Sequence, residues 1–174
     1  METMLSNIYE EKEVLLKILK EFRESNSKVI DELGTKAIKR VLILATGSSM
    51  NAAQTTKYFL EDILDCFIDI KEPFNFYNYE KIDSDLDLVI AITQSGKSSS
   101  TIEALKYIKE NSKIKTLTIT SDNESPVIEY SDLILNLNFG IEKVGFVTKG
   151  FSATLLNIFL LGIFLGESRK NISK

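Results

Sequence analysis

The chain has 174 residues, is 44% hydrophobic and carries 21 basic and 25 acidic side chains, which gives a formal net charge of −4. This length and apolar content predict one domain with a buried core, and the balanced charge argues against binding to nucleic acid or to an anionic membrane. The chain contains no histidine, which excludes Ser-His-Asp and Cys-His nucleophile systems and histidine-bound zinc from its own residues.

The cysteine content and the N-terminus indicate where the protein works. Cys66 is the only cysteine, so no intrachain disulfide can form, and its place in the apolar run CFIDI predicts an inert, buried thiol. The first residues, METMLSNIYEEKE, lack the basic and apolar regions of a signal peptide. We therefore expect a cytoplasmic protein.

The chain begins with a helical pattern and then alternates between strands and helices. Residues 5–33 carry apolar side chains at helical spacing, and the Ser25-Asn26-Ser27 cluster predicts either two helices or one long bent helix. Runs rich in leucine and β-branched residues then predict five strands: RVLILAT (40–46), CFIDIKE (66–72), DLVIAIT (87–93), IKTLTIT (114–120) and DLILNLN (132–138). Helical patterns cover three further stretches: 50–65, 98–110 and 146–166.

The order of these elements predicts the fold class. Two of the strand runs are apolar almost throughout, which is typical of strands in a parallel sheet covered on both faces. Alternation of strands and helices therefore predicts an α/β, three-layer, doubly wound parallel sheet of about five strands with an N-terminal helical extension. The stretch EPFNFYNYEKIDSD (72–85) is irregular and aromatic, and it predicts a loop with one helical turn.

The last helical pattern, FSATLLNIFLLGIFLG (151–166), has little polar character. It is short for a membrane span and contains Asn157, so a buried helix is the better interpretation. Because a helix that is apolar all round must be covered on several sides, we expect a second domain or a second subunit to pack against it.

The stretch AITQSGKSSST (91–101) resembles a nucleotide-binding loop at Gly96, Lys97 and Ser98, but Ala91 stands where that motif needs glycine. Residues 88–92 continue the strand, which leaves only Thr93, Gln94 and Ser95 before Gly96, too few for the large loop that surrounds ATP phosphates. The Rossmann fingerprint also fails, because TGSSMN (46–51) has one glycine where three are needed. Neither ATP nor a dinucleotide is the expected ligand.

A short turn from a parallel strand into a helix can instead hold a small phosphate group. The free amides at about residues 95–98 carry the positive end of the helix dipole, and hydroxyls of Thr93, Ser95 and Ser98 can add hydrogen bonds. Gly96 would let the backbone approach the ligand closely. The alternative is that serines in such turns only cap helices.

A second turn of the same kind favours the binding site over simple capping. Thr46, Gly47, Ser48 and Ser49 also follow an apolar strand and precede a helix. Open α/β sheets bind ligands at the carboxyl ends of their strands, where neighbouring connections diverge. Two turns rich in hydroxyls at that place predict an uncharged polar cleft for a polyhydroxylated phosphate ester.

These motifs resemble the sugar isomerase (SIS) domain family, and most closely its amino-sugar branch, typified by the isomerase half of glucosamine-6-phosphate synthase and by fructosamine-phosphate deglycases. The resemblance runs from about Arg40 to Gly166 through three ordered segments: ATGSSMNAA (45–53), TQSGKSSST (93–101) and EKVGFVTKGFSATL (142–155). It implies a flavodoxin-like SIS domain over residues 37–168, with 1–36 as an N-terminal helical segment and 169–174 as a polar tail.

The resemblance also implies roles for individual residues. Ser48 and Ser49, in the turn with Thr46 and Gly47, would contact the sugar. The phosphate would be held in the turn over residues 93–98 by four side chains beside Gly96: Thr93, Gln94, Ser95 and Ser98. Lys97 stands where the family usually has an acid; it either helps to bind the phosphate or points to solvent, and we expect solvent.

The third segment leaves two interpretations open. Its family counterpart lies near the sugar, which makes Glu142, Thr148 and Lys149 candidates there, with Glu142 the only acid linked to a motif. The alternative is that Glu142 and Lys149 form a solvated pair that caps the last helix.

The resemblance implies an aldose-ketose sugar-phosphate isomerase or an amino-sugar phosphate deglycase that needs no metal or other cofactor. In the amino-sugar branch the acid/base glutamate and a histidine come from a second SIS domain or from a neighbouring subunit. We therefore expect either the N-terminal half of a longer protein or a single domain that assembles with itself or with another chain. The alternative is a sensor that binds a sugar phosphate without turnover.

Overall fold

The structure is a computed structural model that describes residues 2–140, 142–143 and 147–172. Five parallel strands form one sheet in the order β2-β1-β3-β4-β5. The strands are β1 Arg40–Leu44, β2 Phe67–Lys71, β3 Leu88–Ile92, β4 Lys115–Thr120 and β5 Leu133–Asn136. All five lie within the predicted runs, which confirms the doubly wound α/β fold.

The helices mostly follow the predicted pattern. They are α1 Met4–Ser25, α2 Ser27–Gly34, α3 Gly47–Leu64, α4 Pro73–Tyr79, α5 Ser99–Asn111 and α6 Lys149–Ser168, with a 3-10 helix at Pro126–Tyr130. The N-terminal pattern forms two helices that meet at Asn26, whose side-chain oxygen accepts a hydrogen bond from the amide of Asn136 on edge strand β5, 3.0 Å away. Residue 146, the predicted start of the last helix, lies outside the described residues.

The prediction of a loop with one helical turn over residues 72–85 is wrong, because helix α4 occupies seven of these residues. Pro73 takes a first-turn position, where its missing N–H costs nothing, and Glu72 caps the helix by accepting from the amide of Asn75 at 2.9 Å. The buried ring of Phe76 then fixes α4 against the sheet.

Alternate strand residues serve the two faces of the sheet. On β1, Val41 and Ile43 belong to a large core shared with the helices α1, α2, α3 and α6. Leu42 and Leu44 face a second core with α4 and α5. The nearly continuous apolar character of the strand sequence therefore has its expected cause, which is burial on both faces.

Helix α6 is covered within the chain. It contacts α1, α2 and α3, and within the described residues no position from Lys149 to Glu167 is exposed. Although α6 is long and apolar enough to cross a membrane, 56% of its most apolar window is buried inside the protein, as the buried-helix interpretation requires. The N-terminal helices and α3 supply this cover within the chain, and the packing of a second domain or subunit on α6 stays a prediction.

Candidate functional site

The two turns predicted to bind the ligand lie at one edge of the sheet. Strands β1 and β3 are hydrogen-bonded neighbours, so their carboxyl ends meet. The chain then leaves β1 for α3 on one face and leaves β3 for α5 on the other face. This is a topological switch point, the place where open α/β sheets form ligand clefts.

The turn after β3 has a backbone shape that depends on glycine. Gly96 has a φ of +64°, and a methyl group added there would lie only 1.9 Å from Oγ of Ser125. The Ser125 hydroxyl is itself held by the carbonyl of Asp122 at 2.6 Å. Gly96 is therefore needed both for its positive φ and for the close approach of the neighbouring turn.

The N-terminus of α5 keeps free amides. Ser98 is its N-cap residue, but its hydroxyl accepts a hydrogen bond from the Thr101 hydroxyl at 3.1 Å and makes no capping bond to a backbone amide. Within the described residues, the amides of Ser98–Thr101 have no acceptor, and the first helical bond is donated by Ile102 to the Ser98 carbonyl at 3.0 Å. These amides can receive an external anion.

The turn after β1 has a similar open arrangement. Helix α3 begins at Gly47, three residues before the predicted helix, so Ser48 and Ser49 lie in its first turn. Gly47 has a φ of +57° with nothing within 4 Å of an added methyl group, and the Thr46 side chain makes no capping bond among the described residues. Thr46 and Gly47 are exposed, whereas Ser49 is buried.

In the turn after β3, some side chains are buried in the protein and others are exposed to solvent. Thr93 is buried, whereas Ser95 is exposed and its Oγ accepts from the amide of Lys97 at 3.3 Å. The Gln94 amide donates to Thr154 of α6 at 3.2 Å, so it is directed to the helix that packs on the sheet and not to the free amides of α5. The role of Gln94 in phosphate binding stays a prediction.

Glu142 acts as the cap of α6. Its Oε1 accepts from the amide of Thr148 at 2.9 Å and also from the Thr148 hydroxyl, while its Oε2 accepts from the amide of Gly150 at 3.1 Å. Asn7 of α1 donates a further bond to Oε1 at 3.1 Å. The capping interpretation therefore describes Glu142 in this structure, although the carboxylate is half-buried and not freely solvated.

Lys149 is buried and paired. Its Nζ lies 2.6 Å from Oε2 of Glu10, and only 9% of its side chain is exposed, so the predicted solvated pair of Glu142 and Lys149 is wrong. The partners Asn7 and Glu10 stand more than 130 residues away in the sequence. No local sequence pattern could have identified them.

Helix α6 presents its N-terminus at the same edge of the sheet as the two turns. Its later residues pack closely on the later residues of α3, since a methyl group added at Gly162 would lie 2.7 Å from Leu60. The contact between Gln94 and Thr154 fixes the first half of α6 beside the end of β3. Three helix N-termini, those of α3, α5 and α6, are thus brought to the carboxyl edge.

This edge is an open surface. Thr46, Gly47 and Ser95 are exposed. Two cavities in the described part of the chain lie away from this edge: one of about 300 Å³ beside edge strand β2 and one of about 540 Å³ at the opposite, amino end of the sheet. A ligand bound at this edge would therefore rest on an open surface without high walls.

The sequence also predicted that Lys97 points to solvent and that Cys66 is buried. The Lys97 side chain is 66% exposed, in agreement with the expected direction to solvent, and its Nζ lies 3.8 Å from Oδ2 of Asp122. Cys66 is buried, and this burial raises the pKa of its thiol to about 11, as expected for inert packing.

The comparisons with known proteins agree with this architecture. A family model for the SIS domain matches residues 36–163. The chain belongs to the SIS domain family. The match to the glutamine--fructose-6-phosphate aminotransferase [isomerizing] of Campylobacter jejuni covers 98% of this SIS chain at 32% identity. It covers only 29% of that relative.

Solved structures superpose on all or nearly all of the chain. A Clostridium difficile 630 protein classed as a phosphosugar isomerase has a TM-score of 0.88 and 27% identity, and the match covers 100% of this chain and 48% of that one. The Vibrio vulnificus NanR protein, solved in complex with ManNAc-6P, has a TM-score of 0.70 and 18% identity over 95% of this chain and 61% of its own, and at that identity only the fold is shared. The family resemblance of the sequence is confirmed.

Proposed function

We propose that this SIS chain binds a sugar phosphate, with the phosphate group against the free amides of Ser98–Thr101. The observation that carries the proposal is the uncapped N-terminus of α5 at the switch point between β1 and β3. Amides aligned with a helix dipole favour a compact anion, and the open edge of the sheet lets a ligand enter. ManNAc-6P, the ligand of the NanR protein, belongs to the same chemical class.

The turn after β3 would contact the phosphate group of the ligand, and the turn after β1 would contact its sugar. Hydroxyls of Thr93, Ser95 and Ser98 would complete the shell of phosphate oxygens, each bond contributing about 1.5–3 kcal/mol because the acceptor is charged. Ser48 and Ser49, in the first turn of α3, would face the sugar hydroxyls. The open surface favours a second SIS domain or a second copy of the chain as the missing wall, so we propose a homodimer or a tandem assembly.

We infer that the reaction served by this site is an aldose-ketose isomerisation or an amino-sugar phosphate deglycation in the cytoplasm. Such chemistry moves a proton between neighbouring carbons of an open-chain sugar with one general base and without a metal ion or redox cofactor. The chain spans less than a third of the Campylobacter jejuni relative, so the remaining catalytic groups would come from another domain or subunit.

One observation favours a second candidate, a sensor that binds the sugar phosphate without turnover. The chain has no histidine, and its motif-linked acid, Glu142, already accepts hydrogen bonds from Thr148 and Gly150 at the start of α6. A carboxylate engaged in this way is a poor general base.

A thermal-shift panel on the full chain tests the binding proposal. Fructose 6-phosphate, glucosamine 6-phosphate, fructose and ATP are compared, and only the sugar phosphates are expected to raise the melting temperature, because a ligand that binds the folded state stabilises it by mass action. The double variant Ser95→Ala/Ser98→Ala should lose this shift. Thr55→Ala, which removes an exposed hydroxyl on the surface of α3, is the matched control and should keep it. Equal shifts in both variants would contradict the proposed site.

Solvent exchange tests whether this chain alone catalyses proton transfer. Fructose 6-phosphate is incubated with the protein in heavy water, and deuterium at C1 is followed by NMR. Incorporation requires proton abstraction beside the carbonyl and supports an isomerase. Binding without incorporation supports the sensor, or a chain that needs a second domain for catalysis.

A further inference from the structure

Lys97 lies in the middle of the turn over residues 93–98, which we call the phosphate turn. The family pattern gives a lysine no role at this position, where an acid usually stands. We propose that Lys97 is an additional phosphate ligand, and that Asp122 holds its ammonium group aside until the ligand arrives. This inference rests on the proposed function, since it concerns the same sugar-phosphate site.

The ion pair has the geometry of a weak, exchangeable contact. Nζ of Lys97 lies 3.8 Å from Oδ2 of Asp122, and the lysine side chain is 66% exposed. The Asp122 side chain is 21% exposed, but a pair at this separation adds little stability because solvent screens the exposed lysine charge. Lys97 can therefore leave Asp122 at small cost.

Asp122, in contrast, is held in place. Its Oδ1 accepts from the amide of Glu124 at 3.0 Å, and its carbonyl accepts from the hydroxyl of Ser125 at 2.6 Å. Ser125 in turn packs against the Cα of Gly96, where no side chain would fit. The carboxylate is thus a fixed neighbour of the phosphate turn, and Lys97 is the partner that can move.

An arriving ligand reverses the balance of charge at this place. A phosphate monoester carries a charge of about −1.5 to −2 at neutral pH and would lie at the start of the helix that follows Lys97. It would repel the fixed Asp122 carboxylate and attract the lysine, which is long and flexible enough to turn toward it. The pair would therefore favour dianionic esters over neutral sugars of the same shape.

Isothermal titration of the full chain with fructose 6-phosphate tests this exchange. Lys97→Gln is expected to weaken binding about five- to tenfold, because it removes a charged ligand. Asp122→Asn keeps the Oδ1 acceptor for Glu124 and should tighten binding about threefold, because it removes a competing charge. Lys113→Gln, an exposed lysine just beyond the opposite end of α5, is the matched control for net charge and should leave the affinity unchanged.

The double variant Lys97→Gln/Asp122→Asn shows whether the two side chains act together. If Asp122 acts by holding Lys97, the gain from Asp122→Asn should shrink in the Lys97→Gln background. Wild-type affinity in Lys97→Gln, or equal losses in Lys97→Gln and Lys113→Gln, would overturn the inference while leaving the proposed function intact. A wild-type protein that binds no sugar phosphate would overturn the proposed function and the inference with it.

Discussion

The N-termini of α5 and α6 lie at the same edge of the sheet but are completed in different ways. At α6 the protein supplies its own anion, because Glu142 accepts from the amides of Thr148 and Gly150. At α5 the described residues offer no acceptor for the amides of Ser98–Thr101. The N-terminus of α6 is capped by the chain itself, and we call it the closed end. The N-terminus of α5, the open end, has amides that can bind an external anion.

Burial explains why the protein can treat the two ends differently. Lys149 and Gly150 are buried, so unpaired amides at the start of α6 would carry the full cost of desolvation. Ser99 is exposed, and Ser98 and Ser100 are half-buried, so water can satisfy the amides of these three residues until a ligand replaces it. Leaving the N-terminus of α5 without a cap therefore costs little free energy, whereas the buried N-terminus of α6 needs its cap.

The largest expected effect comes from the glycine that shapes the open end. Gly96→Ala should lower the free energy of unfolding by about 3 kcal/mol or more, because the new methyl group meets both a positive φ and the fixed Ser125. Gly47→Ala is the matched control, since its φ is also positive but the space beside it is empty, and it should cost about 1–2 kcal/mol. Urea unfolding measures both. Equal losses would show that the contact with Ser125 does not shape the turn.

Opening the closed end is the next largest change. Glu142→Ala should lower the free energy of unfolding by about 2 kcal/mol, because two backbone amides and the Asn7 amide lose their acceptor. Glu142→Gln keeps one acceptor oxygen and should cost about half as much. Glu110→Ala, an exposed glutamate on α5, serves as the control and should stay within about 0.5 kcal/mol of wild type. A loss no larger than that of the control would refute the capping role.

The smallest effect on stability is expected at the N-cap of the open end. Ser98→Ala should lower the free energy of unfolding by only about 0.5–1 kcal/mol, because Ser98 makes no capping bond and only bonds with neighbouring hydroxyls, such as that of Thr101, are lost. Thr3→Ala removes a cap that accepts from the amide of Ser6 at 3.1 Å, and it should cost about 1 kcal/mol. Chemical denaturation of the two variants under the same conditions compares them directly. A Ser98 variant that loses more than the Thr3 variant would mean that α5 is capped after all.

Local periodicity was enough to predict the sheet and the positions of the two turns that follow β1 and β3. Strands buried on both faces have continuous apolar runs, and glycine with hydroxyl side chains at the strand ends indicated where the chain turns. The interpretation of residues 72–85 as a loop with one helical turn underestimated the helix, because its start signal, Glu72 before Pro73, is short and its aromatic side chains show no clear helical period. Propensity is weak over such a length, and packing of Phe76 decides the structure.

Contacts between distant residues were beyond the reach of the sequence. Part of the cover of α6 comes from α1, and so do Asn7 and Glu10, the distant partners of Glu142 and Lys149. Apolar character all round α6 correctly indicated burial, but it contained no information on which element does the burying. The same limit applies to Asp122, whose position beside Lys97 depends on the packing of Ser125 on Gly96.

The most direct test of the account is a titration of the isotope-labelled protein with fructose 6-phosphate, followed by backbone amide NMR. The account predicts that the amide signals of Ser98–Thr101 move the most and saturably, while those of Lys149–Phe151 at the closed end stay nearly still. Saturable movement at the start of α6 with none at the start of α5, or no movement at either helix, would contradict it.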